Sequence, residues 1–336
     1  MKNFPSISIV TCSYNANISL FSKALRAIAL QDYPKDKIDH IVMDGGSTNG
    51  TIELAKKYHC TVFSDKKLMN QGQVRTSLGI KKARGELIVI LESDNIIVGR
   101  DWFKKMVQPF AEDKKIVCTF SAYNSYEKNM SATAKYAALF GSPEPTLYYL
   151  KKSEKIRMDQ TQYDKGHIIK NNKNYWTVTF TKKNLPTLGD NGHMFLRSAM
   201  NKVNKDPEKF VHVDAFKELL DKGYDTFGVV KNKIIHVTEA TPLKLIKQRV
   251  GMKRKFFDGR RGKRSYLVMD WKSPYDRFHL AQNIFYSLTF VVPLYESLRG
   301  YIKIREAAWF LHPIMCFLMV LGYGLSEIQW AIKKKI

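Results

Sequence analysis

Short apolar runs alternate with amphipathic segments along the first 91 residues. The apolar runs have the length and the β-branched content of strands, and they cover residues 6–12, 38–43, 60–64 and 86–91. The segments between them carry apolar residues at helical spacing, which predicts helices over 19–32, 51–58 and 73–83. Strands and helices in alternation predict an α/β fold with a parallel sheet and crossover helices.

Polar and acidic residues follow three of these strands. They form the segments Thr11–Asn15, Asp44–Thr51 and Glu92–Asn95. Folds of this class bind ligands at the carboxyl ends of their strands, where such segments meet. The pattern therefore predicts a ligand site at that edge of the sheet.

The residue types at this edge indicate which ligand it binds. Glu92 and Asp94 form a Glu-x-Asp pair at the tip of an apolar strand, and their oxygens suit Mg²⁺ or Mn²⁺, which in turn would hold a diphosphate. The glycine-rich turn 44–51, with Gly46, lets the backbone approach a ligand closely. This turn is neither a GxxxxGK[ST] loop nor a GxGxxG loop, so the ATPase and dinucleotide-binding classes lack their motif.

The composition changes after residue 240, and we predict a boundary between a first domain, 1–240, and a helical tail, 241–336. Residues 307–325 contain no Asp, Glu, Lys or Arg. A helix of that length reaches ~28 Å, about one hydrocarbon core. Because Pro313 lies within it, a spanning, a re-entrant and an interfacial helix all fit, as does a buried core helix.

The chain carries 55 Lys and Arg against 31 Asp and Glu, a net charge of +24. Such an excess calls for an anionic partner. Ten basic residues and one acid lie between Lys244 and Arg264, beside the apolar segments. Phe256 and Phe257 are interleaved there and suit base stacking, but no nucleic-acid-binding motif accompanies them. We therefore expect anionic membrane lipids, and no nucleic acid, as partners of the tail.

The polar segments also match a known pattern. Ile9–Asn15, Asp44–Thr51, Ala83–Glu86 and Glu92–Asn95 resemble, in order, the conserved elements of family 2 glycosyltransferases. The resemblance covers about residues 5–240. It implies the GT-A (Rossmann-like) fold, a mixed, mainly parallel sheet flanked by helices. The loop 187–192 is similar to the acceptor-side glycine loop of that family.

The resemblance implies a role for each matching residue. Nucleotide-sugar contacts fall on Thr11, Tyr14, Asn15, Asp44, Gly46, Arg75, Glu92 and Ser93. Asp94 and His236 would bind the metal ion, and Asp214 would be the general base. From the residues alone, Asp44 also fits an Asx turn, Asp214 a helix N-cap before a helix over 215–222, and His236 a core histidine.

Together these features predict an inverting, metal-dependent transfer of a sugar from a nucleoside-diphosphate sugar, a UDP-sugar by the resemblance. The tail suggests a lipid-linked or surface-glycan acceptor. The N-terminus lacks a signal peptide, so we expect the enzyme on the cytoplasmic face of the membrane. Two other classes stay open: a sugar-1-phosphate nucleotidyltransferase and a nucleic-acid-binding protein without catalysis.

Overall fold

A computed structural model describes residues 4–189, 191–238, 241–254 and 264–335, with side chains to residue 332. The chain forms two compact units. The first comprises the residues up to 122 together with 165–236, and the second comprises 123–164 together with 237 onward. Segment 123–164 thus belongs to the same unit as the tail. Asp190 of the predicted glycine loop and residues 255–263 of the basic stretch lie outside the described residues.

The described chain forms a ten-stranded sheet, which lies in the first unit except for residues 123–125 at the end of β6. Its strands are β1 Ile7–Ser13, β2 Ile38–Asp44, β3 Thr61–Ser64, β4 Leu87–Leu91, β5 Asn95–Ile97, β6 Ile116–Ser125, β7 His167–Asn171, β8 Tyr175–Thr179, β9 Asn191–Leu196 and β10 Thr226–His236. Their order is β3-β2-β1-β4-β9-β6-β10-β8-β7, and β5 pairs with β10. The β3-β2-β1-β4 half is parallel, whereas β9 lies antiparallel to β4.

Helices cover this sheet. They are α1 Ile18–Ala29, α2 Thr51–Lys57, α3 Gly72–Lys82, α4 Trp102–Glu112, α7 Arg197–Met200 and α8 His212–Asp221. Helix α1 shows why the local sequence folds this way: Asn17 caps it by accepting from the backbone N–H of Leu20 at 3.1 Å, and its apolar side chains are buried at helical spacing. The mixed sheet flanked by helices confirms the predicted fold class.

The second unit is helical in its described part. It contains α5 Ala132–Phe140, α6 Pro145–Tyr149, α9 Pro242–Lys253, α10 Pro274–Thr289, α11 Val291–Lys303, the 3-10 helix Ala307–Leu311 and α12 His312–Lys335. Leu245, Trp309 and Met315 pack in its core with Tyr136 and Phe140 of α5. Pro313 does not break α12, because it lies in the first turn, where the missing N–H costs nothing.

A cluster of buried charges lies inside this second unit. The Arg157 guanidinium donates to both carboxylate oxygens of Asp159, at 2.9 and 3.2 Å, and its Nη1 lies 3.4 Å from Oε1 of Glu296. Glu296 also accepts from Tyr149 at 2.6 Å, and its Oε2 lies 3.1 Å from Nε2 of His312. Pairing of this kind is what allows charged groups to be buried.

By length and composition alone, one helical stretch of the described chain is apolar enough to cross a membrane, Ala307–Ile332. This stretch includes residues 307–325, the segment without charged residues that the sequence predicts as a membrane-associated or buried helix. Its most apolar window is 39% buried within the protein, so a large part of its surface is not covered by other residues.

Candidate active site

Strand order brings the polar segments to one edge. Because β2, β1 and β4 are adjacent and parallel, the residues that follow them lie at neighbouring carboxyl ends. The register pairs Ser13 with Asp44 at the ends of β1 and β2. The edge that the sequence predicted as the ligand site therefore forms as expected from parallel pairing.

Asp44 organises the glycine-rich turn. Its Oδ1 accepts from the backbone N–H groups of Gly46 and Ser47, both at 2.8 Å, and from the Ser64 hydroxyl at 2.9 Å. Its Oδ2 accepts from the hydroxyls of Ser13, at 2.9 Å, and Ser47. These contacts form the Asx turn that the sequence had left open. A nucleotide contact from Asp44, which stays a prediction, needs more than one of these hydroxyls to turn away, because a carboxylate has about four acceptor sites and five donors already occupy them.

The ionisation of Asp44 follows from the same contacts. Burial raises the pKa of this carboxyl, but hydrogen bonds from Ser47, Ser64 and Ser13 outweigh burial, and the pKa lies below its ordinary value. A lowered folded-state pKa contributes stability that is present at neutral pH and is lost as the pH falls through that value. Asp44 is therefore an anion that holds the turn in shape.

The turn after β1 is tied to the turn after β2. Asn15, at φ 43°, donates its backbone N–H to the Ser47 hydroxyl at 2.8 Å and accepts from the Thr48 N–H at 2.9 Å. Tyr14 beside it is 39% exposed. The predicted pocket residues Tyr14, Asn15 and Asp44 thus lie in two turns that hydrogen bonds join.

Thr11, in contrast, is enclosed. Its hydroxyl donates to the carbonyl oxygen of Leu91 at 2.7 Å and lies 2.9 Å from Nε2 of His40. Burial lowers the pKa of His40 to about 4, so this ring is neutral at physiological pH. Thr11 therefore supports the end of β4, and its predicted contact with the nucleotide remains untested. His40 belongs to no sequence motif that predicts this contact.

The turn after β4 presents the acidic residues. Glu92, Ser93 and Asp94 are all partly exposed in a tight turn closed by a 3.0 Å bond from the Asn95 N–H to the Glu92 carbonyl. The Asn95 side chain is buried and donates to Asp94 Oδ1 at 3.0 Å and to Asn191 Oδ1 at 3.1 Å. Asn95 thereby fixes the orientation of the Asp94 carboxylate.

Asp94 and His236 come together although 142 positions separate them in the sequence. The antiparallel pairing of β5 with β10 sets His236 opposite Asn95, and Asp94 Oδ2 lies 3.5 Å from His236 Nε2. An imidazole nitrogen and a carboxylate oxygen are a donor set that suits Mn²⁺, whereas Mg²⁺ prefers oxygen alone. This pair fits a divalent cation whose other ligands come from a diphosphate and water.

The protein offers the cation few other ligands. No group of three or more His, Cys, Asp or Glu side chains positioned to hold a metal ion occurs in the described ranges. A site with two protein ligands depends on its substrate to complete the coordination, as is common where the metal ion binds phosphates. We therefore expect weak cation binding without a nucleotide.

Arg75 lies directly behind the glycine-rich turn. Its Nη1 donates to the carbonyls of Leu68 and Met69, at 2.8 Å for Met69. A Cβ placed on Gly45 would come within 2.7 Å of that nitrogen. Nε of Arg75 is buried and has no hydrogen-bond partner in the part of the chain the structure describes. Arg75 is thus a buried cation beside the predicted nucleotide pocket, and its direct contact with a ligand stays a prediction.

Gly46 is required by the backbone. It adopts φ 86°, and a Cβ there would lie 2.4 Å from Lys66 Cγ and 2.9 Å from Lys66 Cα. We expect Gly46→Ala to lower the free energy of unfolding by about 1–3 kcal/mol, as measured by urea denaturation. Gly72→Ala is the matched control, because a Cβ on Gly72 meets nothing within 4 Å. Equal stability of the two variants would contradict this role of Gly46.

Asp214 lies in the first turn of α8, which begins at His212. The helix therefore starts three residues earlier than predicted, and its N-cap is Val211, so the interpretation of Asp214 as an N-cap is wrong. The His212 N–H donates to Gln73 Oε1 at 3.0 Å, and its ring Nδ1 lies 2.9 Å from the same oxygen. These contacts fix where α8 begins.

Gln73 links the start of α8 to the start of α3. As the second residue of α3, it lies at the end of that helix nearest the carboxyl edge of the sheet, where a crossover helix starts. Gly189, at φ 134°, packs against His212, since a Cβ there would lie 2.6 Å from His212 Cβ. The α3 terminus, the predicted glycine loop and the first turn of α8 therefore adjoin one another.

The sequence of the chain is similar to those of known proteins. The model of the family "Glycosyl transferase family 2" matches residues 8–175. Glycosyltransferase AglE of Haloferax volcanii is 28% identical over 98 residues, which are 28% of this chain and 32% of AglE. TarS of Staphylococcus aureus, a poly(ribitol-phosphate) β-N-acetylglucosaminyltransferase, is 27% identical over 99 residues, 27% of this chain and 16% of TarS. The chain thus spans less than a third of the length of either relative.

A solved structure extends the agreement to the fold. The mannosyltransferase PcManGT from Pyrobaculum calidifontis, in complex with GDP-Man and Mn²⁺, superposes with a TM-score of 0.57 at 14% identity, covering 96% of this chain and 87% of that one. The family model matches half of the chain and favours the glycosyltransferase over the two other classes. The chain belongs to glycosyl transferase family 2.

Proposed function

We propose that this glycosyltransferase moves a sugar from a nucleoside-diphosphate sugar to a hydroxyl group of a lipid-linked or surface-glycan acceptor, with inversion at the anomeric carbon. The observation that carries the proposal is the Asp94–His236 pair, 3.5 Å apart, at the end of β4. PcManGT binds GDP-Man and Mn²⁺, whereas the resemblance implies UDP, so both nucleotides enter the test.

Each part of the edge has a task in this reaction. Tyr14, Asn15, Asp44, Gly46 and Arg75 form the nucleotide side, and Glu92 and Ser93 face the ribose and sugar. Asp94 and His236 hold the divalent cation, Mn²⁺ in preference to Mg²⁺. When bound, this cation neutralises negative charge on the departing diphosphate. Asn95 keeps the Asp94 carboxylate in place through its 3.0 Å hydrogen bond.

Asp214 is the general base. It takes the proton of the acceptor hydroxyl as that oxygen bonds to the anomeric carbon from the face opposite the diphosphate. The bond between the anomeric carbon and the diphosphate oxygen breaks, and its electron pair leaves with the nucleoside diphosphate. One displacement of this kind inverts the anomeric carbon. Gln73 and His212 support the base by fixing the first turn of α8.

The proposed class of acceptor is inferred from the C-terminal tail, residues 241–336. The candidate helix Ala307–Ile332 and the basic stretch 244–264 support association with the cytoplasmic face of a membrane containing anionic lipids. An enzyme held there meets lipid-linked acceptors at high local concentration.

The full chain should be incubated with UDP- and GDP-sugars and a lipid-linked saccharide extract, with Mn²⁺ or EDTA. We expect release of nucleoside diphosphate that requires both Mn²⁺ and acceptor. Inorganic pyrophosphate released from a nucleoside triphosphate would instead identify a nucleotidyltransferase. Absence of nucleoside diphosphate release with every donor would contradict the proposal.

A further inference from the structure

Helices α10 and α11 have an inverted distribution of polarity. In α10 the buried positions are Asp276, Asn283 and Ser287, which are 5% or less exposed. Phe278 and Phe285, on the other side of the same helix, are each 63% exposed. A helix of a water-soluble protein places these residue types the other way round.

The inversion continues through α11. Its buried positions are Pro293, Ser297 and Gly300, and the Ser297 hydroxyl donates to the carbonyl of Trp309 at 2.9 Å. Together the two helices expose a set of large apolar side chains, here named the α10–α11 apolar face. This face consists of Phe278, Phe285, Leu288, Val291, Tyr295, Leu298 and Ile302, each 47–69% exposed. Large apolar side chains exposed in such number on two consecutive helices point to an interaction site.

The exposed charged residues along these two helices are of one sign. Between residues 272 and 305, the exposed charged side chains are Lys272, Arg277, Arg299, Lys303 and Arg305. The two acids of this range are turned inward. Asp276 is 5% exposed, and Glu296 contacts Tyr149 and His312 inside the unit. The partner that fits is apolar and carries negative charge at its boundary.

We propose that the α10–α11 apolar face is a docking surface for the headgroup and upper acyl region of a bilayer leaflet that contains anionic lipids. The basic residues meet lipid phosphates while the apolar side chains enter the hydrocarbon boundary. A second copy of the chain fits less well, because a symmetric interface would set these basic residues against one another.

The helices lie in the plane of the membrane and do not cross it. Helix α10 has 16 residues and α11 has 13, so they reach only ~24 and ~20 Å, short of a core of about 30 Å. Phe290, at φ 61°, ends α10 and turns the chain directly into α11. The docking surface is formed by helices other than the candidate helix Ala307–Ile332, although α11 packs against that helix through Ser297 and Trp309. The docking surface deepens the membrane part of the proposed function, on which it rests for its partner.

The test uses the full chain and vesicles of phosphatidylcholine with or without one-third phosphatidylglycerol. We expect phosphatidylglycerol to strengthen binding at least about tenfold, and Phe285→Ser to weaken it about tenfold. Ile169→Ser, at a 57% exposed position of the first unit, is the matched control and should bind like the unaltered chain. Both substitutions are at exposed positions, and thermal unfolding verifies that each variant folds.

A labelling experiment locates the contact. All four native cysteines are buried, so an environment-sensitive dye reacts selectively at Phe285→Cys or at the control Ile169→Cys. Vesicles should shift the emission of the dye to the blue at position 285 only. Three results would each overturn the docking surface. They are unchanged vesicle binding by Phe285→Ser, unchanged emission of the dye at position 285 when vesicles are added, and dimers that bury position 285 in the absence of vesicles. Because no sugar donor is used, such a failure leaves the transfer reaction untouched.

Discussion

Asp214→Asn is expected to lower the rate of sugar transfer about 10²–10⁴-fold while leaving donor binding unchanged. The range is the usual contribution of a positioned general base. Asparagine preserves the size of the side chain but cannot accept the proton of the acceptor hydroxyl. Transfer under saturating donor and acceptor, together with a calorimetric titration of the donor, separates the chemical step from binding.

Asp221→Asn is the matched control for this substitution. It makes the same chemical change at the last residue of α8, where Asp221 pairs with Lys182 and Lys217 on the surface. Such surface pairs contribute little to stability, so this variant should transfer sugar normally. Full activity in Asp214→Asn would remove Asp214 as the base. Loss of activity in both variants would point to a general effect on α8.

The N-terminal half of the sheet could be predicted from the sequence because its information is local. A run of apolar residues predicts each of the strands β1 to β4, and apolar residues at helical spacing predict each of the helices α1 to α3. The insertion of β9 between β4 and β6 could not be predicted, since it pairs residues such as Val89 and Met194. No local pattern encodes a contact between such distant segments.

The candidate site also has a part that the sequence predicts and a part that it does not. Asp44 and Asp94 stand at strand ends that the pattern locates, so their shared edge was predictable. The start of α8 was misplaced because it depends on Gln73, 139 positions before His212. The contact of His40 with Thr11 could not be predicted for the same reason. It joins two different strands, and neither strand has a sequence pattern that indicates it.

Asp94→Asn is expected to abolish the contribution of Mn²⁺ to donor binding, at least about a tenfold loss in affinity at saturating metal ion. Asparagine at position 94 keeps the oxygen that accepts the hydrogen bond from Asn95, but it lacks the negative charge that attracts the cation. His236→Asn should show the same loss, since it removes the other ligand of the pair. Asp32→Asn is the control, because Asp32 is an exposed carboxylate that pairs with Lys104.

The most direct test of the account is the affinity of the full chain for UDP and GDP, titrated with Mn²⁺ and again with EDTA, before and after Asp94→Asn. We predict that Mn²⁺ tightens binding of one nucleotide to the unaltered chain and to Asp32→Asn, and has no effect on nucleotide binding by Asp94→Asn. Equal affinities with Mn²⁺ and EDTA in the unaltered chain, or a Mn²⁺ effect that survives Asp94→Asn, would contradict it.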